Sequence, residues 1–213
     1  MKIKLKKFKI VTVNSSILYN LLIPYLNNIL VCKNGVDINF FKNLNKHKYN
    51  KNLIKIGWIG KKRNAKNIQL LDQLKVKLKN NKKIELVFIS IDKNLKVIPY
   101  NEDQILDFYN YIDYYLCVST NEGTPNPALE AAACGVPIIS TRVGNMPELL
   151  INNNGFLIEP NEISVMKVLN KLNEIDEYKY YEMSKNIVSE IRENWSWKKR
   201  IKNFINAYNN LIN

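Results

Sequence analysis

The chain has 213 residues, which is enough for one domain with a sizeable core or for one domain and a small appendage. Hydrophobic residues make up 46% of it, which is ordinary for a globular protein, and no apolar run reaches the ~18 residues that a membrane-spanning helix needs. The formal net charge of +13 favours polyanionic partners such as nucleic acid, anionic lipid or phosphorylated ligands. The joint abundance of Lys, Asn and Ile is equally well explained by a bias in coding.

Cysteine and histidine usage limits the chemistry. Cys32, Cys117 and Cys134 are odd in number and have no close metal-ligand spacing, so we expect neither disulfides nor structural zinc, as in a reducing cytosol. His47 is the one histidine, which excludes a mechanism that takes two histidines from this chain. The basic N-terminus is followed by too short an apolar stretch for a signal peptide, and the predicted location is cytoplasmic.

Strand and helix patterns alternate along the chain, which is typical of an α/β fold with a Rossmann-like parallel sheet and helices on both faces. The predicted strands are 8–13, 29–32, 54–59, 84–91, 95–98, 114–118, 136–140 and 156–158. The predicted helices are one through Leu22 capped by Ser15 or Ser16, then 67–79, 102–111 and 127–134, followed by a helical tail from 161. Trp195 and Trp197 mark a boundary between two helices of that tail. The polar segment 42–52 is expected to be an exposed connection.

The densest information lies in residues 119–130, which follow a predicted strand and begin a predicted helix. Ligands of open α/β sheets bind at the carboxyl ends of the strands. Gly123 lets the backbone pass close to a ligand. Asn126 suits the N-cap of the helix and Pro127 its first helical position. The segment therefore predicts a ligand-binding loop.

The start of this helix predicts an anion site with two acids beside it. The N–H groups of Ala128 and Leu129 are expected to be free and to point out of the positive helix end, a natural phosphate site. Because a phosphate repels carboxylates, we expect Glu122 and Glu130 to face away from it towards sugar hydroxyls. Glu122 could hold a transferred sugar and Glu130 a ribose. As an isolated pair they would more simply be surface acids, but the surrounding strand, Gly and Pro pattern favours the site.

Residues 60–67 form a second cluster after a predicted strand, with Lys61, Lys62, Arg63 and Lys66. Cations at a strand end suit a diphosphate leaving group, because they stabilise the charge that builds on the bridging oxygen in the transition state. They would also replace a divalent metal, and the sequence has no Asp-x-Asp pair to hold one. Taken alone, the cluster is also explained as a solvated loop of a Lys-rich protein.

Together these motifs resemble the C-terminal domain of GT-B glycosyltransferases, in particular the large retaining family 4, over residues 31–198. The resemblance rests on Asn34-Gly35-Val36-Asp37, Gly60-Lys61, Lys66-Asn67, the Glu-x7-Glu motif formed by Glu122 and Glu130, the run 131–137 and the segments 142–148 and 154–155. Two departures stand out. Lys61 replaces the usual Arg, which loses bidentate phosphate contact but keeps the charge. Asn145 stands where Gly is common, which would tighten the loop near the donor.

The resemblance implies transfer of a sugar from a nucleotide-sugar donor, such as a UDP- or GDP-sugar, with retention at the anomeric carbon and with no metal or cofactor. It implies catalytic roles for Glu122, Lys66 and Lys61, and no covalent protein nucleophile. The implied donor-binding set is Gly60, Lys61, Lys66, Glu122, Gly123, Thr124, Ala128, Leu129 and Glu130.

The resemblance also divides the chain. Residues 1–50 would be a remnant of the N-terminal domain and a linker, 51–194 the nucleotide-sugar-binding domain, and 195–213 a C-terminal helix. Most of the family's acceptor-binding N-terminal domain has no counterpart, including its histidine, and His47 is expected at the surface. An apolar stripe in the last helix is expected either to pack on residues 1–30 or to remain open to a partner. Its members are Trp197, Ile201, Phe204 and Tyr208.

Three functions compete. The first is a glycosyltransferase that acts on a glycan or lipid-linked acceptor, either as a divergent short form or completed by a separate acceptor-domain chain or a homo-oligomer. The second is a non-catalytic nucleotide-sugar-binding module or inactive fragment. Nucleic-acid binding is disfavoured, because the basic residues are spread along the chain without a recognition motif. The positive charge could also support peripheral contact with an anionic membrane.

Overall fold

The computed structural model describes residues 7–45, 48–90 and 101–212. The predicted strand at 95–98 and His47 lie outside these ranges. The strands are β1 Val11–Val13, β2 Ile29–Val31, β3 Ile54–Gly60, β4 Ile84–Ser90, β5 Tyr114–Cys117, β6 Ile138–Thr141 and β7 Gly155–Ile158. The helices are α1 Ser16–Leu22, α2 Ile68–Leu78, α3 Glu102–Tyr109, α4 Asn126–Ala133, α5 Met146–Leu149, α6 Glu162–Leu172, α7 Glu177–Glu190 and α8 Trp197–Ile212.

The strands form two parallel sheets. β1 and β2 make a small N-terminal sheet, and the other five strands lie in the order β4-β3-β5-β6-β7. All neighbours in the larger sheet are parallel, and helices connect most of them. The predicted α/β fold with a parallel sheet is therefore confirmed.

The central strand β5 shows why the sheet is covered on both faces. Tyr115 and Cys117 pack into one apolar cluster with Leu129 of α4, while Leu116 packs into a second cluster with Leu74 of α2. All five of these side chains are buried. A strand that is apolar at every position, as β5 is, is typical of a parallel sheet between two helical layers.

Local signals explain most element boundaries. Ser15 caps α1 by accepting a hydrogen bond from the Leu18 N–H at 3.3 Å, as predicted. The strand predicted at 8–13 is shorter, because β1 pairs only with the three residues of β2 and Phe8 is exposed. The strand predicted to begin at 136 begins at Ile138, where pairing with β5 starts.

The start of α4 differs from the prediction. Asn126 is the first helical residue rather than the cap, and Pro125 occupies the cap position without a side-chain hydrogen bond. The N–H groups of Ala128 and Leu129 both donate to the Pro125 carbonyl, at 2.9 and 3.4 Å. The prediction that these two N–H groups are free is therefore wrong, because the helix starts one residue earlier and uses them in its first turn.

The last helix joins the linker that follows the N-terminal sheet. A strand-like bridge pairs Val36 with Ser196, and the Val36 N–H donates to the Trp195 carbonyl at 2.9 Å. Gly35 is required by this close approach, since an added Cβ would lie 2.7 Å from the Trp197 backbone. A π-helical segment, Ile191–Trp195, links α7 to this joint, so Trp195 and Trp197 do mark the predicted helix boundary.

The apolar stripe of α8 is largely open. Trp197, Ile201 and Tyr208 are 42, 44 and 62% exposed, and Phe204 is partly buried. The helix meets the N-terminal segment through backbone carbonyls, since the Cys32 thiol donates to the Asn203 carbonyl at 3.5 Å and the Lys9 ammonium donates to the Leu211 carbonyl at 2.7 Å. Of the two alternatives, the stripe remaining open is the one observed. Among residues 7–45, 48–90 and 101–212, no helix has the length and apolarity needed to cross a bilayer.

Candidate functional site

The two loops singled out from the sequence lie side by side. β3 and β5 are neighbours and parallel, so the segments after their carboxyl ends leave the same edge of the sheet. The Thr120 N–H donates to the Ala65 carbonyl at 2.8 Å and fastens one loop to the other. Ala65 lies in a short 3-10 turn, Asn64–Lys66, that precedes α2. This turn carries Lys66 towards the second loop.

Lys66 and Glu122 form an ion pair across the two loops. The Lys66 Nζ atom lies 2.5 Å from Glu122 Oε1, and the two side chains are only 19 and 16% exposed. The Ser119 hydroxyl donates to the same oxygen at 2.9 Å. Glu122 is thus held by two bonds to Oε1, and no bond from the described residues reaches its Oε2. A half-buried pair fixed by a third group is stiffer than a surface pair, whose contribution to stability is small.

The sequence predicted that Glu122 faces away from a bound phosphate and made no prediction of a contact with Lys66. The structure adds this contact, in which the nearest cation stabilises a partly buried carboxylate. The predicted sugar-binding and phosphate-binding groups therefore meet at one point.

Glu130 is held by a different partner. The Tyr109 hydroxyl, fully buried at the end of α3, donates to Glu130 Oε2 at 2.6 Å. Burial raises the pKa of Glu130 above its usual value, and the hydrogen bond from Tyr109 acts in the opposite direction. The bond thus favours the charged form of a carboxylate that its surroundings tend to protonate.

A buried tyrosine on β5 connects the two acids. Tyr115 donates its hydroxyl hydrogen to the Ile59 carbonyl at 3.2 Å, at the end of β3. Burial raises the pKa of Tyr115 well above its usual value, and the charges of Glu130 and Glu122 raise it further. The charges of both acids thus act on one buried hydroxyl, and Lys66 lies against Glu122.

Other residues of the predicted site also lie at the carboxyl edge of the larger sheet, and they make fewer contacts than the two acids. Gly60 is the last residue of β3, and Lys61 follows it with an exposed side chain. No ion pair or hydrogen bond of Lys61 to another described residue is found. Thr124 donates its hydroxyl hydrogen to the Asn14 carbonyl at 3.1 Å. Gly123 has no room for a side chain, since an added Cβ would lie 2.3 Å from Asn14 Oδ1.

Sequence reasoning missed three contacts. Ser119 orients Glu122, Tyr109 orients Glu130, and Asn14 comes from the N-terminal sheet to meet Gly123. Only Ser119 has a signal in the sequence, its position three residues before Glu122 in the same loop. The other two depend on the packing of α3 and β1 against segments distant in sequence.

Other features of the surface are separate from this edge. A depression of about 710 Å³ between α2 and α6 is lined by residues such as Gln69, Val76 and Glu162, none of which belongs to the two loops. Within residues 7–45, 48–90 and 101–212, no group of three or more His, Cys, Asp and Glu side chains is arranged to hold a metal ion.

The fold is that of the C-terminal domain of GT-B glycosyltransferases. The C-terminal domain of a glycosyl transferase group 1 family protein from Francisella tularensis superposes with a TM-score of 0.61 and 22% identity, over 76% of this chain and 99% of that domain. HepE of Anabaena, solved in complex with UDP and glucose, superposes with a TM-score of 0.71 and 16% identity, over 96% of this chain and 64% of that chain. The family model for glycosyl transferases group 1 matches residues 38–194, and the chain belongs to this family.

A curated relative supports the same family at the level of sequence. The O-antigen biosynthesis glycosyltransferase WbnH of Escherichia coli is 34% identical over 111 residues, which are 51% of this chain and 30% of that protein. The chain thus spans about a third of the length of this relative.

Proposed function

We propose that this chain binds a nucleotide sugar and is the donor-binding half of a retaining, metal-independent glycosyltransferase. The observation that carries the proposal is the ion pair between Lys66 and Glu122, which joins the loops after β3 and β5, with Glu130 in the helix that follows the second loop. The family model supports the transferase class, and HepE of Anabaena, whose solved complex contains UDP and glucose, shares the fold.

The proposed roles follow from charge and position. Lys66 binds the diphosphate, with Lys61 beside it as an exposed second cation. Glu130 accepts hydrogen bonds from the ribose hydroxyls, and the bond from Tyr109 favours its charged form. Glu122 bonds a hydroxyl of the transferred sugar through Oε2. Gly60, Gly123, Thr124, Ala128 and Leu129 shape the backbone around the donor, without the free helix N–H groups first expected.

The proposed reaction is transfer on one face of the sugar. The bond between the anomeric carbon and the diphosphate oxygen breaks, and the acceptor hydroxyl oxygen forms the new bond to that carbon. The acceptor proton passes to the departing phosphate. Lys66 stabilises the negative charge that develops on the diphosphate, which is the part that a divalent metal plays elsewhere, and this stabilisation is larger in the transition state than in the ground state.

The acceptor-binding half is proposed to come from outside residues 1–213. The chain covers 30% of the length of WbnH, so an acceptor domain from another part of a longer protein or from a partner would complete the cleft. The name of that relative connects it with O-antigen biosynthesis, and we propose a glycan or lipid-linked acceptor, a cytoplasmic location and peripheral contact with membrane for this protein as well.

Calorimetry tests donor binding. UDP, GDP and ADP and their sugar derivatives are titrated into the purified chain, with Glu122→Ala compared with Glu174→Ala, a control at an exposed acid on the surface between α6 and α7. We expect one nucleotide series to bind, and Glu122→Ala to weaken the sugar derivative by roughly tenfold, as loss of a charge-assisted hydrogen bond does. Absence of binding in all three series would refute the proposal.

A turnover assay separates the enzyme from a binding module. Slow hydrolysis of the bound nucleotide sugar, or transfer in the presence of a matching acceptor domain, is expected to fall in Glu122→Ala and to persist in the Glu174→Ala control. Tight binding with no turnover in any of these mixtures would assign the chain as a non-catalytic nucleotide-sugar-binding module.

A further inference from the structure

The N-terminal sheet reaches the candidate site through one residue at the end of β1. The backbone carbonyl of Asn14 accepts hydrogen bonds from the Asn145 side-chain amide at 2.9 Å and from the Thr124 hydroxyl at 3.1 Å. Asn145 also donates to the Thr124 hydroxyl oxygen at 2.8 Å. These three bonds close a triangle between segments more than a hundred residues apart, so the position of the Asn14 backbone is fixed.

The Asn14 side chain lies directly over Gly123. A Cβ added to Gly123 would be 2.3 Å from Asn14 Oδ1 and 2.8 Å from its Nδ2, closer than real atoms approach. The opposite side of Gly123 is equally close to Gly144, whose own added Cβ would lie 2.2 Å from the Gly123 carbonyl oxygen. Gly123 is therefore enclosed between an amide and a backbone, and Glu122 precedes it in the chain.

The side-chain amide of Asn14 takes no part in the triangle, which fixes only its backbone. Among the described residues, no hydrogen bond reaches the Asn14 side chain, although that side chain is partly buried. A second unsatisfied group lies in the same triangle, because Asn145 is fully buried and its Oδ1 atom has no hydrogen-bond partner. An unpaired polar atom that is removed from water costs free energy, which applies to Asn145 Oδ1. This buried atom and the unpaired Asn14 amide, both beside the ligand-binding loop, mark a place where ligand hydroxyls are expected.

We propose that Asn14 is a specificity-determining residue that bonds a hydroxyl of the transferred sugar, in addition to the one bonded by Glu122. This inference rests on the proposed donor-binding function. A sugar hydroxyl both donates and accepts hydrogen bonds, and a side-chain amide provides one donor group and one acceptor group, whereas the carboxylate of Glu122 provides acceptors alone. The two residues together distinguish sugars by the positions of their hydroxyls.

The N-terminal sheet would thus contribute a sugar-binding residue to the donor site. Residues 1–50 were interpreted from the sequence as a remnant and a linker. The Asn14 triangle makes β1 part of the wall around the transferred sugar, so this chain forms a larger share of its donor site than its short N-terminal segment suggests.

The test separates sugar recognition from nucleotide binding. Asn14→Ala removes the amide and leaves the backbone carbonyl, so the bonds from Asn145 and Thr124 remain. The matched control is Asn20→Ala, an exposed amide on α1. Calorimetry compares UDP, GDP or ADP with the sugar derivatives of the same nucleotide, namely glucose, galactose, mannose and N-acetylglucosamine.

We expect Asn14→Ala to bind the bare nucleotide as the parent chain does and to lose roughly tenfold in affinity for one of the sugar derivatives. The ratio between its affinities for the preferred sugar and for the other sugars is therefore expected to be smaller than in the parent chain. Asn20→Ala is expected to match the parent in both. Asn145→Ala, which removes two bonds of the triangle, is expected to weaken all sugar derivatives alike, because the whole loop loosens.

Two outcomes would overturn the inference alone. One is an unchanged preference among sugars in Asn14→Ala, and the other is an equal loss for the bare nucleotide and its sugar derivatives, which indicates a purely structural role. Failure of the parent chain to bind any nucleotide is a different result, because it refutes the proposed donor-binding function itself.

Discussion

The bond between Tyr109 and Glu130 allows a sharp test of how the ribose-binding carboxylate is maintained. Tyr109→Phe removes one hydroxyl and leaves the ring in its buried position. The lost bond, 2.6 Å long, goes to a carboxylate, and such bonds contribute about 1.5–3 kcal/mol to stability. Tyr115→Phe is a matched control, because its buried hydroxyl donates to the neutral Ile59 carbonyl, a bond of about 1 kcal/mol. We therefore expect Tyr109→Phe to be the more destabilising by roughly 1 kcal/mol near pH 7.5.

The sign of the pH dependence follows from the raised pKa of Glu130. Between the unfolded value and the raised folded value, the folded chain binds more protons than the unfolded chain, so this group lowers stability as pH rises through that window. Tyr109→Phe removes a bond to the charged form, raises the folded pKa further and increases the loss at high pH. At pH values below the pKa of Glu130, the carboxyl is neutral and the difference between the two tyrosine variants is expected to shrink.

Urea unfolding of the two variants at pH 7.5 and at about pH 4.5 measures this difference. Tyr109→Phe in a Glu130→Gln background should lower the free energy of unfolding by about 1 kcal/mol at both pH values, which completes a double-mutant cycle. Equal free energies of unfolding for Tyr109→Phe and Tyr115→Phe at both pH values would refute the reasoning, as would a larger effect at low pH.

Three further predictions concern glycines and the cation. Gly144 has a positive φ of 52°, and an added Cβ would lie 2.2 Å from the Gly123 carbonyl oxygen, so Gly144→Ala is expected to lower the free energy of unfolding in urea by about 2–3 kcal/mol; an unchanged value contradicts this. The Cβ added by Gly35→Ala would lie 2.7 Å from the backbone of Trp197, where α8 begins. This variant is expected to make α8 accessible to limited proteolysis at protease concentrations that leave the parent chain intact, and equal cleavage rates contradict this. Lys66→Gln is expected to reduce nucleotide affinity and its salt dependence, while Lys75→Gln, an exposed lysine paired with an acid on α2, leaves both unchanged in calorimetry.

The fold and the order of the two loops could be predicted because they depend on short-range patterns. Apolar runs such as β5, helix spacing in α2 and the Ser15 cap are each written within a few residues. The right order of strands then brings Lys66 and Glu122 to the same edge of the sheet. Their ion pair follows from this topology, although its direct contact was not expected.

What could not be predicted depends on exact backbone positions. A start of α4 one residue earlier changes the partners of Ala128 and Leu129, and the prolines on either side of Asn126 leave this start ambiguous in sequence. The contact of Asn14 with Gly123 joins segments whose relation depends on how two sheets pack, for which no local pattern exists. The open stripe of α8 likewise depends on how this helix lies against the N-terminal segment, which it meets through the Asn203 and Leu211 carbonyls.

The seam between α8 and the N-terminal sheet places a chemical reporter in the chain. Cys32 is 2% exposed, and its thiol lies 3.5 Å from the Asn203 carbonyl of α8. Burial raises the pKa of Cys32, which further suppresses the reactive thiolate. Cys117 and Cys134 are buried within the five-stranded sheet and its helices. Alkylation of Cys32 ahead of the other two thiols therefore signals that the final helix has lifted while the sheet is still folded, so a mass spectrum can follow the opening of this seam without any added label.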